Sequence, residues 1–217
     1  MTPAPHLSLG LLLTGAAGFA DVIGFIGLGG QYTSFMSGNT TQLGDTLAHG
    51  LWQASVLPVA LIVLFFLGSF IGSLLALACG KRWGSSAATA FVLACLGLTI
   101  GLSVAGWPAS QFMLILAAGA GAQNAILPST GSVRLGTTFV TGTLFAAGQD
   151  LARAVRGSAP PWRWAQHLLV WASLLVGALL GAIAYSAAGL NVLLVPFLVY
   201  LGFLVAFVFR PPQQIVD

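Results

Sequence analysis

Residues 35–48 read FMSGNTTQLGDTLA, and residues 139–152 read FVTGTLFAAGQDLA. Each stretch has a hydroxyl-bearing residue followed by glycine, at 37–38 and at 141–142. Serine and threonine are favoured helix N-caps, so each stretch predicts the start of a short helix. The recurrence of this motif predicts that the chain is built from two related halves.

The composition indicates that the chain lies in lipid. Of its 217 residues, 58% are hydrophobic and 5% are charged, and the mean hydropathy is +0.97. A soluble domain carries about 25% charged residues, so this chain could not cover its surface with polar groups in water. The net charge of +3 comes without a basic stripe or an aromatic reading surface, which argues against nucleic-acid binding. No detachable signal peptide is expected, because the N-terminus lacks a Lys/Arg region.

Six apolar stretches are each long enough to cross a bilayer, which takes roughly 20 helical residues. They cover residues 9–28, 55–79, 87–106, 110–128, 165–187 and 191–209. If the N-terminus is cytoplasmic, all seven Lys and Arg residues fall on the inner side, as the positive-inside rule requires. We therefore predict six spans in the bacterial cytoplasmic (inner) membrane, with both termini cytoplasmic.

The two halves of the chain align beyond the quoted motif. Upstream, AGFAD (17–21) matches AGAQN (120–124), which pairs Asp21 with Asn124. Downstream, each half carries a GxxxG pattern within a predicted span. The aligned stretches are LGSFIG at 67–72 and VGALLG at 176–181. Glycines at this spacing let helices approach closely, either to pack the two halves together within one chain or to form a homodimer seam.

These matches occur in the same order and predict an internal duplication. The first repeat covers residues 1–106 and the second covers 107–217. Each repeat holds three spans, an odd number, so the second repeat would have the opposite orientation in the membrane. This inverted-topology plan is typical of secondary transporters, which bind their solute near the midplane. A duplication retained only for helix packing is the alternative.

The long connection of each repeat predicts a re-entrant element, at 29–50 on the outer side and at 130–157 on the inner side. In each, a β-prone stretch (31–36 and 137–140) precedes a helix of about 13 residues. Such a helix is about 20 Å long, which reaches from mid-membrane to one surface. Since unpaired backbone is not tolerated against lipid, we expect the two stretches to pair as strands and the two half-helix N-termini to point toward each other. Ordinary amphipathic surface loops are the alternative.

The converging N-termini predict a solute site. Each carries free N–H groups and a partial positive charge of about half a unit, which favours an anion or the negative end of a dipolar solute. The residues predicted to line the site are Ser37, Gly38, Asn39, Thr40, Thr141, Gly142, Thr143, Gln123 and Asn124. The first half-helix is the more polar of the two, and Asn39 is the position that we expect to matter most.

Two charged residues near this site, Asp21 and Arg134, each have two candidate roles. Asp21 lies in the middle of the first span, where a carboxylate is a functional candidate by default; it is a candidate proton carrier or a capped group that fixes helix packing. Its counterpart Asn124 cannot titrate. Arg134 is a candidate anion screen at the inner mouth or a positive-inside anchor. Asp150 and Arg153 are expected to form a surface pair on one helix.

Catalysis and metal binding find little support. Three histidines lie near the ends of predicted spans, and no pattern pairs them with a nucleophile or with other metal ligands. Cys79 and Cys95 lie in apolar segments without a spacing motif and are expected to be buried thiols. We therefore predict a protein that is not an enzyme and uses no metal or cofactor.

The stretch AGFADVIGFIGLGGQYTSFMSGNTTQLG (17–44) resembles the N-terminal signature of the YoaK-like family of bacterial inner-membrane proteins, a domain of unknown function. The matching elements are Asp21, LGG at 28–30, Phe35 and a TGN-type motif, written here SGN at 37–39. Serine in place of the usual threonine keeps the helix cap. The resemblance covers essentially the whole chain and implies an inner-membrane location without a substrate. A looser similarity to sulfate-permease and nucleobase transporters, which have many more spans, concerns the meeting of strand-preceded half-helices at a substrate.

Together these patterns predict an all-α integral membrane protein of six transmembrane helices plus two re-entrant strand/half-helix elements, in a 3+3 inverted repeat. The predicted function is movement of a small anionic solute across the membrane. A passive channel for a small neutral solute and a non-transporting assembly or sensor subunit are the alternatives. Because so short a chain has no separate scaffold domain, a homodimer is expected.

Overall fold

Helices account for most of the chain that the structure describes. A computed structural model of the protein describes residues 4–127 and 140–209. Its helices are α1 (Ala4–Gly27), α2 (Met36–Ala48), α3 (Trp52–Ala78), α4 (Gly80–Val104), α5 (Ala109–Phe112), α6 (Leu114–Gln123), α7 (Val140–Val155), α8 (Arg163–Ala188) and α9 (Leu194–Val208), with a 3-10 turn at Gly189–Leu193. The described residues contain no strand, and the predicted helical class is confirmed.

Four helical stretches in the described ranges are long and apolar enough to cross a membrane. They are His6–Gly27, Trp52–Ala78, Gly80–Val104 and Arg163–Val208. Their outward faces are apolar as well: Phe66 and Leu77 of α3 are 68% and 80% exposed. A monomer in water rarely leaves apolar surface of this extent uncovered, whereas lipid covers it. The chain is an α-helical membrane protein.

The predicted span at 110–128 is helical but is not one continuous helix. It consists of the four-residue α5 and the ten-residue α6. α6 ends just before Asn124, whose side chain donates hydrogen bonds to the carbonyl oxygens of Ala120 and Gly121 at 3.2 and 3.4 Å. Carbonyl groups in the last turn of a helix lack helical partners, and the Asn124 amide satisfies two of them.

The connection between the second and third predicted spans is shorter than expected. α3 ends at Ala78 and α4 begins at Gly80, so residues 81–86, expected to form a loop, belong to the first turns of α4. The corner is possible because Gly80 has a φ of +67°, which glycine adopts without strain. Cys79 lies at this corner and is exposed, whereas Cys95 is buried. The prediction that both thiols are buried is therefore wrong for Cys79.

The most extensive helix contacts join α1 to α8 and α3 to α6. Each pair places the first helix of one predicted repeat against the GxxxG helix of the other. A Cβ added to Gly177 would overlap the carbonyl oxygen of Gly15, and a Cβ added to Gly68 would overlap that of Ala118. The backbones are in direct contact, so only glycine fits at these two positions.

These contacts recur at corresponding positions of the two aligned repeats. In α1–α8 they are Gly15–Gly177, Gly18–Leu174 and Phe19–Gly181, and in α3–α6 they are Ala118–Gly68, Gly121–Phe65 and Ala122–Gly72. Each aligned position of one helix pair thus has its counterpart in the other pair. Of the two roles expected for the GxxxG glycines, the structure shows the packing of the two halves within one chain.

α4 and α9 close the core over α6. The buried side chains that meet there include Val92 and Leu96 of α4, Leu116 of α6, and Tyr200 and Phe203 of α9. This packing brings the hydroxyl group of Tyr200 to the C-terminal end of α6 and to a cavity that α1 also lines, where polar side chains lie.

Candidate functional site

The segment that joins α1 to α2, residues 28–35, is held by the carboxylate of Asp21. One carboxylate oxygen, Oδ1, accepts the Thr33 N–H at 2.9 Å, the Thr33 hydroxyl at 2.7 Å and the Ser34 N–H at 2.7 Å. Thr33 and Ser34 are both buried. Because three hydrogen bonds from two neighbouring residues converge on one oxygen, Asp21 fixes this part of the segment against α1.

Asn39 holds the same segment from the other side. Its side chain is fully buried. The amide oxygen accepts the Tyr32 N–H at 3.0 Å, and the amide nitrogen donates to the Tyr32 carbonyl oxygen at 2.7 Å. The amide therefore replaces a strand partner for Tyr32, and both of its polar atoms are occupied. The structure gives Asn39 a positioning role at this point of the chain.

The predicted strand at 31–36 is not formed. The N–H of Tyr32 bonds instead to the Asn39 side chain, and those of Thr33 and Ser34 bond to Asp21, so these three donors are not available to a second strand. The second β-prone stretch, 137–140, lies outside the described residues except for Val140, the first residue of α7.

The helix α2 begins two residues earlier than the Ser37 cap predicts. Its first residue is Met36, its N-cap is Phe35, and no side chain caps it. A Cβ on Gly38 would lie 2.6 Å from the ring of Phe35 and 3.1 Å from that of Tyr32. Gly38 therefore makes room for these two rings, and its predicted role in the close approach of a solute stays a prediction.

The N-termini of α2 and α7 face a common cavity of about 210 Å³. Its described lining is Ser34, Phe35, Met36, Ser37, Phe65, Val140, Thr141 and Gly142. Three of these side chains carry hydroxyl groups, and none carries a charge. No described atom lies within 4 Å of the position that a Cβ on Gly142 would take, so this wall is open. At about 30 Å³ for each water molecule, the cavity has the volume of a small hydrated solute.

Within the described residues, the first turn of α2 contributes one free backbone N–H group, that of Ser37, to this cavity. The N–H groups of Met36, Gly38 and Asn39 bond to the carbonyl oxygens of Ser34 and Phe35, and the N–H of Ser37 has no acceptor in the described part of the chain. The first turn of any helix lacks internal acceptors, and its dipole adds a partial positive charge. Both helices therefore present positive potential to the cavity.

The other predicted lining residues lie elsewhere. Thr40 is exposed and bonds the Met36 carbonyl of its own helix. Thr143 is buried and bonds the Val140 carbonyl, also within its helix. Asn124 closes α6, and Arg134 lies outside the described residues. Of the nine predicted positions, Ser37, Thr141 and Gly142 line the shared cavity.

Gln123 contributes to a second, smaller cavity of about 20 Å³. Its polar lining consists of Asp21, Thr33, Ser34, Gln123 and Tyr200. The hydroxyl group of Tyr200 donates to the Gln123 amide oxygen at 2.5 Å. Ser34 lines both cavities, so one residue of the Asp21-held segment separates the carboxylate from the space between the helix N-termini.

A buried ion cluster that was not predicted from the sequence joins α7 to α8. Asp150 is 4% exposed, and Arg163 contacts both of its carboxylate oxygens at 2.6 Å. Arg153 lies 3.2 Å and His167 3.4 Å from the same carboxylate. The predicted pair of Asp150 and Arg153 is present, but its surface location is wrong, because α8 covers the carboxylate. Mainly through its hydrogen bonds, Arg163 holds the pKa of Asp150 below its usual range.

Comparison with known proteins agrees with this architecture of apolar helices. The profile of the family described as "Protein of unknown function (DUF1275)" matches residues 9–207. The chain belongs to this family. Similar DUF1275-type relatives include the UPF0700 transmembrane protein RA0705 of Rhizobium meliloti (strain 1021), which is 33% identical over 214 residues, covering 95% of this chain and 89% of that protein.

A more distant relative carries the name that the sequence resemblance suggested. The UPF0700 transmembrane protein YoaK of Bacillus subtilis (strain 168) is 26% identical over 153 residues, which cover 65% of this chain and 65% of that protein. No solved structure matches the chain significantly. The predicted YoaK-like membership is confirmed, and the DUF1275 chain is a membrane protein.

In this DUF1275 protein, replacing Asp150 with asparagine is expected to lower the melting temperature at neutral pH, because Arg163 loses its charged partner. The contribution of Asp150 is present above its unfolded-state pKa and is lost as the pH falls through its lowered folded-state pKa, below about 4. The difference between wild type and variant should therefore narrow in acid. The measurement is the melting temperature of wild type and variant, by thermal unfolding in detergent at several pH values.

Asp45→Asn is the matched control for this prediction. Asp45 pairs with His49 on α2 at 3.4 Å, but both side chains are exposed, and exposed pairs contribute little. If the Asp150→Asn protein had the same melting temperature as the Asp45→Asn control at neutral pH, that result would contradict the structural role of the cluster.

Proposed function

We propose that this protein transports a small anionic solute across the bacterial cytoplasmic membrane and binds it in the cavity between the N-termini of α2 and α7. The observation that carries the proposal is the meeting of these two helix starts at one cavity of about 210 Å³. The free N–H of Ser37, the positive ends of two helix dipoles and three hydroxyl groups then surround one solute. This constellation favours an anion over a neutral or cationic solute.

The proposed topology is a 3+3 inverted repeat. The stretch Arg163–Val208 has 46 residues, about 69 Å of helix, and therefore crosses a bilayer of about 30 Å twice, with its turn at Gly189–Leu193. α5 and α6 together form one further crossing. The 13 residues of α2 and 16 of α7 are too few to span and are proposed as re-entrant half-helices. The matched contacts of α1–α8 and α3–α6 support the duplication.

The chemistry of the lining suits a transported solute. No described side chain at the cavity carries a charge, so the attraction for an anion comes from backbone dipoles and hydroxyl groups. Conduction requires a site that binds well enough to admit a solute but not to retain it. A site without a fixed cation meets this requirement, and the apolar groups of Phe35, Met36, Phe65 and Val140 limit the size of the solute.

Asp21 is the proposed coupling group, first expected as a proton carrier. It bonds the Ser34 N–H, and Ser34 lines the solute cavity. A change in the charge at Asp21 therefore acts directly on one wall of the solute site. The proposal assigns no catalytic step and includes the homodimer that is expected from the sequence.

Gly142→Leu is expected to abolish solute uptake while leaving the protein folded. A side chain at Gly142 would enter the open wall of the cavity. The measurement is uptake of labelled formate, acetate, sulfate and phosphate into proteoliposomes at two pH values. At least one anion should enter faster than into protein-free vesicles, and Gly142→Leu should reduce its entry to the protein-free rate.

Gly148→Leu is the matched control on the same helix. No described atom lies within 4 Å of a Cβ there, and Gly148 does not line the cavity, so uptake should persist. Entry of none of the four anions, or undiminished uptake by Gly142→Leu, would contradict the proposal. Flux of neutral solutes without a pH effect would indicate a passive channel, and no flux at all would indicate an assembly or sensor subunit.

A further inference from the structure

The carboxylate of Asp21 has no basic partner in the described lining of its cavity. That lining contains Asp21, the hydroxyl residues Thr33, Ser34 and Tyr200, the amide of Gln123, and otherwise small or apolar side chains. Three hydrogen bonds end on Oδ1, and such bonds favour the charged form of a carboxylate, whereas burial away from water disfavours it more strongly unless a partner of opposite charge is bound. A charge at this depth requires compensation, and the described side chains around it supply none.

The cavity beside Asp21 has the size and the lining of an ion site. Its volume is about 20 Å³, room for about one water-sized particle. The oxygen-bearing residues Thr33, Ser34, Gln123 and Tyr200 surround it together with the carboxylate. Oxygen atoms are the ligands that hard cations prefer. The same space that lacks a basic side chain is therefore lined by cation ligands.

We propose that this cavity binds one Na⁺ ion, with Asp21 as its charged ligand. A single carboxylate balances a monovalent ion, whereas sites for Ca²⁺ combine several carboxylates and Mg²⁺ keeps several of its waters, for which the cavity has no room. K⁺ is larger than Na⁺ and fits less well in a space of this volume. The bound ion neutralises the carboxylate without disturbing the three donors on Oδ1.

The site deepens the proposed function, since Na⁺ would be the coupling ion of the anion transporter. Ser34 is the common wall of the two cavities. A cation on one side of Ser34 and an anion on the other attract each other, so the binding of either favours the binding of the other to the same degree. Na⁺ binding itself does not depend on transport and can be measured without it.

The test is the thermal unfolding of the purified full-length protein in detergent, at constant pH and ionic strength, with NaCl replaced by KCl or choline chloride. A ligand that binds only the folded state raises the melting temperature with increasing concentration. Na⁺ is expected to raise it, and K⁺ and choline are expected to have little effect. Asp21→Asn should remove the Na⁺ response.

Asp21 also holds the 28–35 segment, so Asp21→Asn could lose the Na⁺ response by disturbing the fold. A second variant that leaves this segment in place is therefore needed. Tyr200→Phe removes one oxygen from the cavity and leaves the Asp21 hydrogen bonds in place; it should raise the Na⁺ concentration for half-maximal stabilisation at least about tenfold, as loss of supporting groups does at metal sites. Ser37→Ala alters only the solute cavity and should keep the wild-type response.

Three results would overturn the Na⁺ site: no response to Na⁺, equal responses to Na⁺ and K⁺, or a wild-type response in Tyr200→Phe. A melting temperature that follows pH but not Na⁺ would also overturn it and assign a proton to Asp21. A Na⁺ response in a protein that moves no anion would uphold this site while contradicting the proposed transport. Anion uptake without any Na⁺ response would uphold the proposed transport and contradict the Na⁺ site.

Discussion

Replacing Gly68 or Gly177 with alanine is expected to destabilise the protein more than any other substitution named here. At each position the new Cβ would overlap a backbone carbonyl oxygen, that of Ala118 or that of Gly15. A backbone cannot rotate away as a side chain can, so the two helices must separate along their contact. Overpacking costs about 1–3 kcal/mol and occasionally more, and we expect the upper end, roughly 6–12 °C in melting temperature.

Gly101→Ala in α4 and Gly202→Ala in α9 are the matched controls. Both glycines are helical, and no described atom lies within 4 Å of an added Cβ. Alanine in place of a helical glycine stabilises by about 0.5–1 kcal/mol when nothing is displaced. Gly68→Ala and Gly177→Ala should lose similar amounts, since their contacts correspond. Melting temperatures close to those of the controls would contradict the interlocked packing of the two halves.

Asn39→Ala is expected to have the second largest effect. The substitution leaves the N–H and the carbonyl oxygen of Tyr32 without their partners, and each unsatisfied buried polar group costs about 1–3 kcal/mol. Because Tyr32 is only half-buried, the lower end applies to both groups, and a loss of about 2 kcal/mol in the free energy of unfolding follows, measured as a lower melting temperature. Uptake should fall as well, because the segment that Asn39 holds carries Ser34 and Phe35 into the solute cavity.

The neighbouring variant Thr40→Ala is the control for this prediction. The Thr40 hydroxyl is exposed and bonds only within its own helix, so its removal should change stability by about 0.5 kcal/mol or less. If Asn39 instead contacted the solute directly, as the sequence suggested, Asn39→Ala would lose uptake at an unchanged melting temperature. That result would contradict the positioning role.

The helical class, the membrane setting and the family could be predicted from the sequence because they depend on local properties. Long apolar runs form helices in lipid wherever they lie, and their pattern needs no knowledge of the tertiary fold. The matching contacts of Gly68 and Gly177 were also predictable, since the two glycines align as identities in the sequence. Asp21 was detectable for the same reason, as a lone carboxylate in an apolar run.

The parts that the sequence did not predict depend on side chains meeting from distant positions. The stretch at 31–36 has the composition of a strand, but Asp21 and Asn39 compete for its backbone donors from two different helices. The helical spacing indicated Arg153 as a partner of Asp150, but it could not indicate Arg163, thirteen positions away on α8, which contacts both carboxylate oxygens. Tyr200 gave one usable signal, a hydroxyl group within an otherwise apolar span.

The residues predicted to line one site lie at two different cavities, again because side chains from distant positions meet. Ser37, Thr141 and Gly142 share a cavity because both helix starts reach it, and the repeat made this predictable. Gln123 was assigned to the same place by its position in the alignment. In the structure it lies beside Asp21 instead, because Tyr200 of α9 takes its amide oxygen.

The central claim is that the starts of α2 and α7 meet at one point inside the membrane. Its most direct test is chemical cross-linking of Ser37→Cys with Thr141→Cys, in a protein whose native cysteines are replaced (Cys79→Ser and Cys95→Ala), using a short thiol-specific reagent in native membranes. The two peptides should be recovered linked within one chain. Phe145→Cys, exposed on α7 one turn further on, should cross-link poorly with Ser37→Cys. No link between positions 37 and 141, or an equal yield with position 145, would contradict the claim.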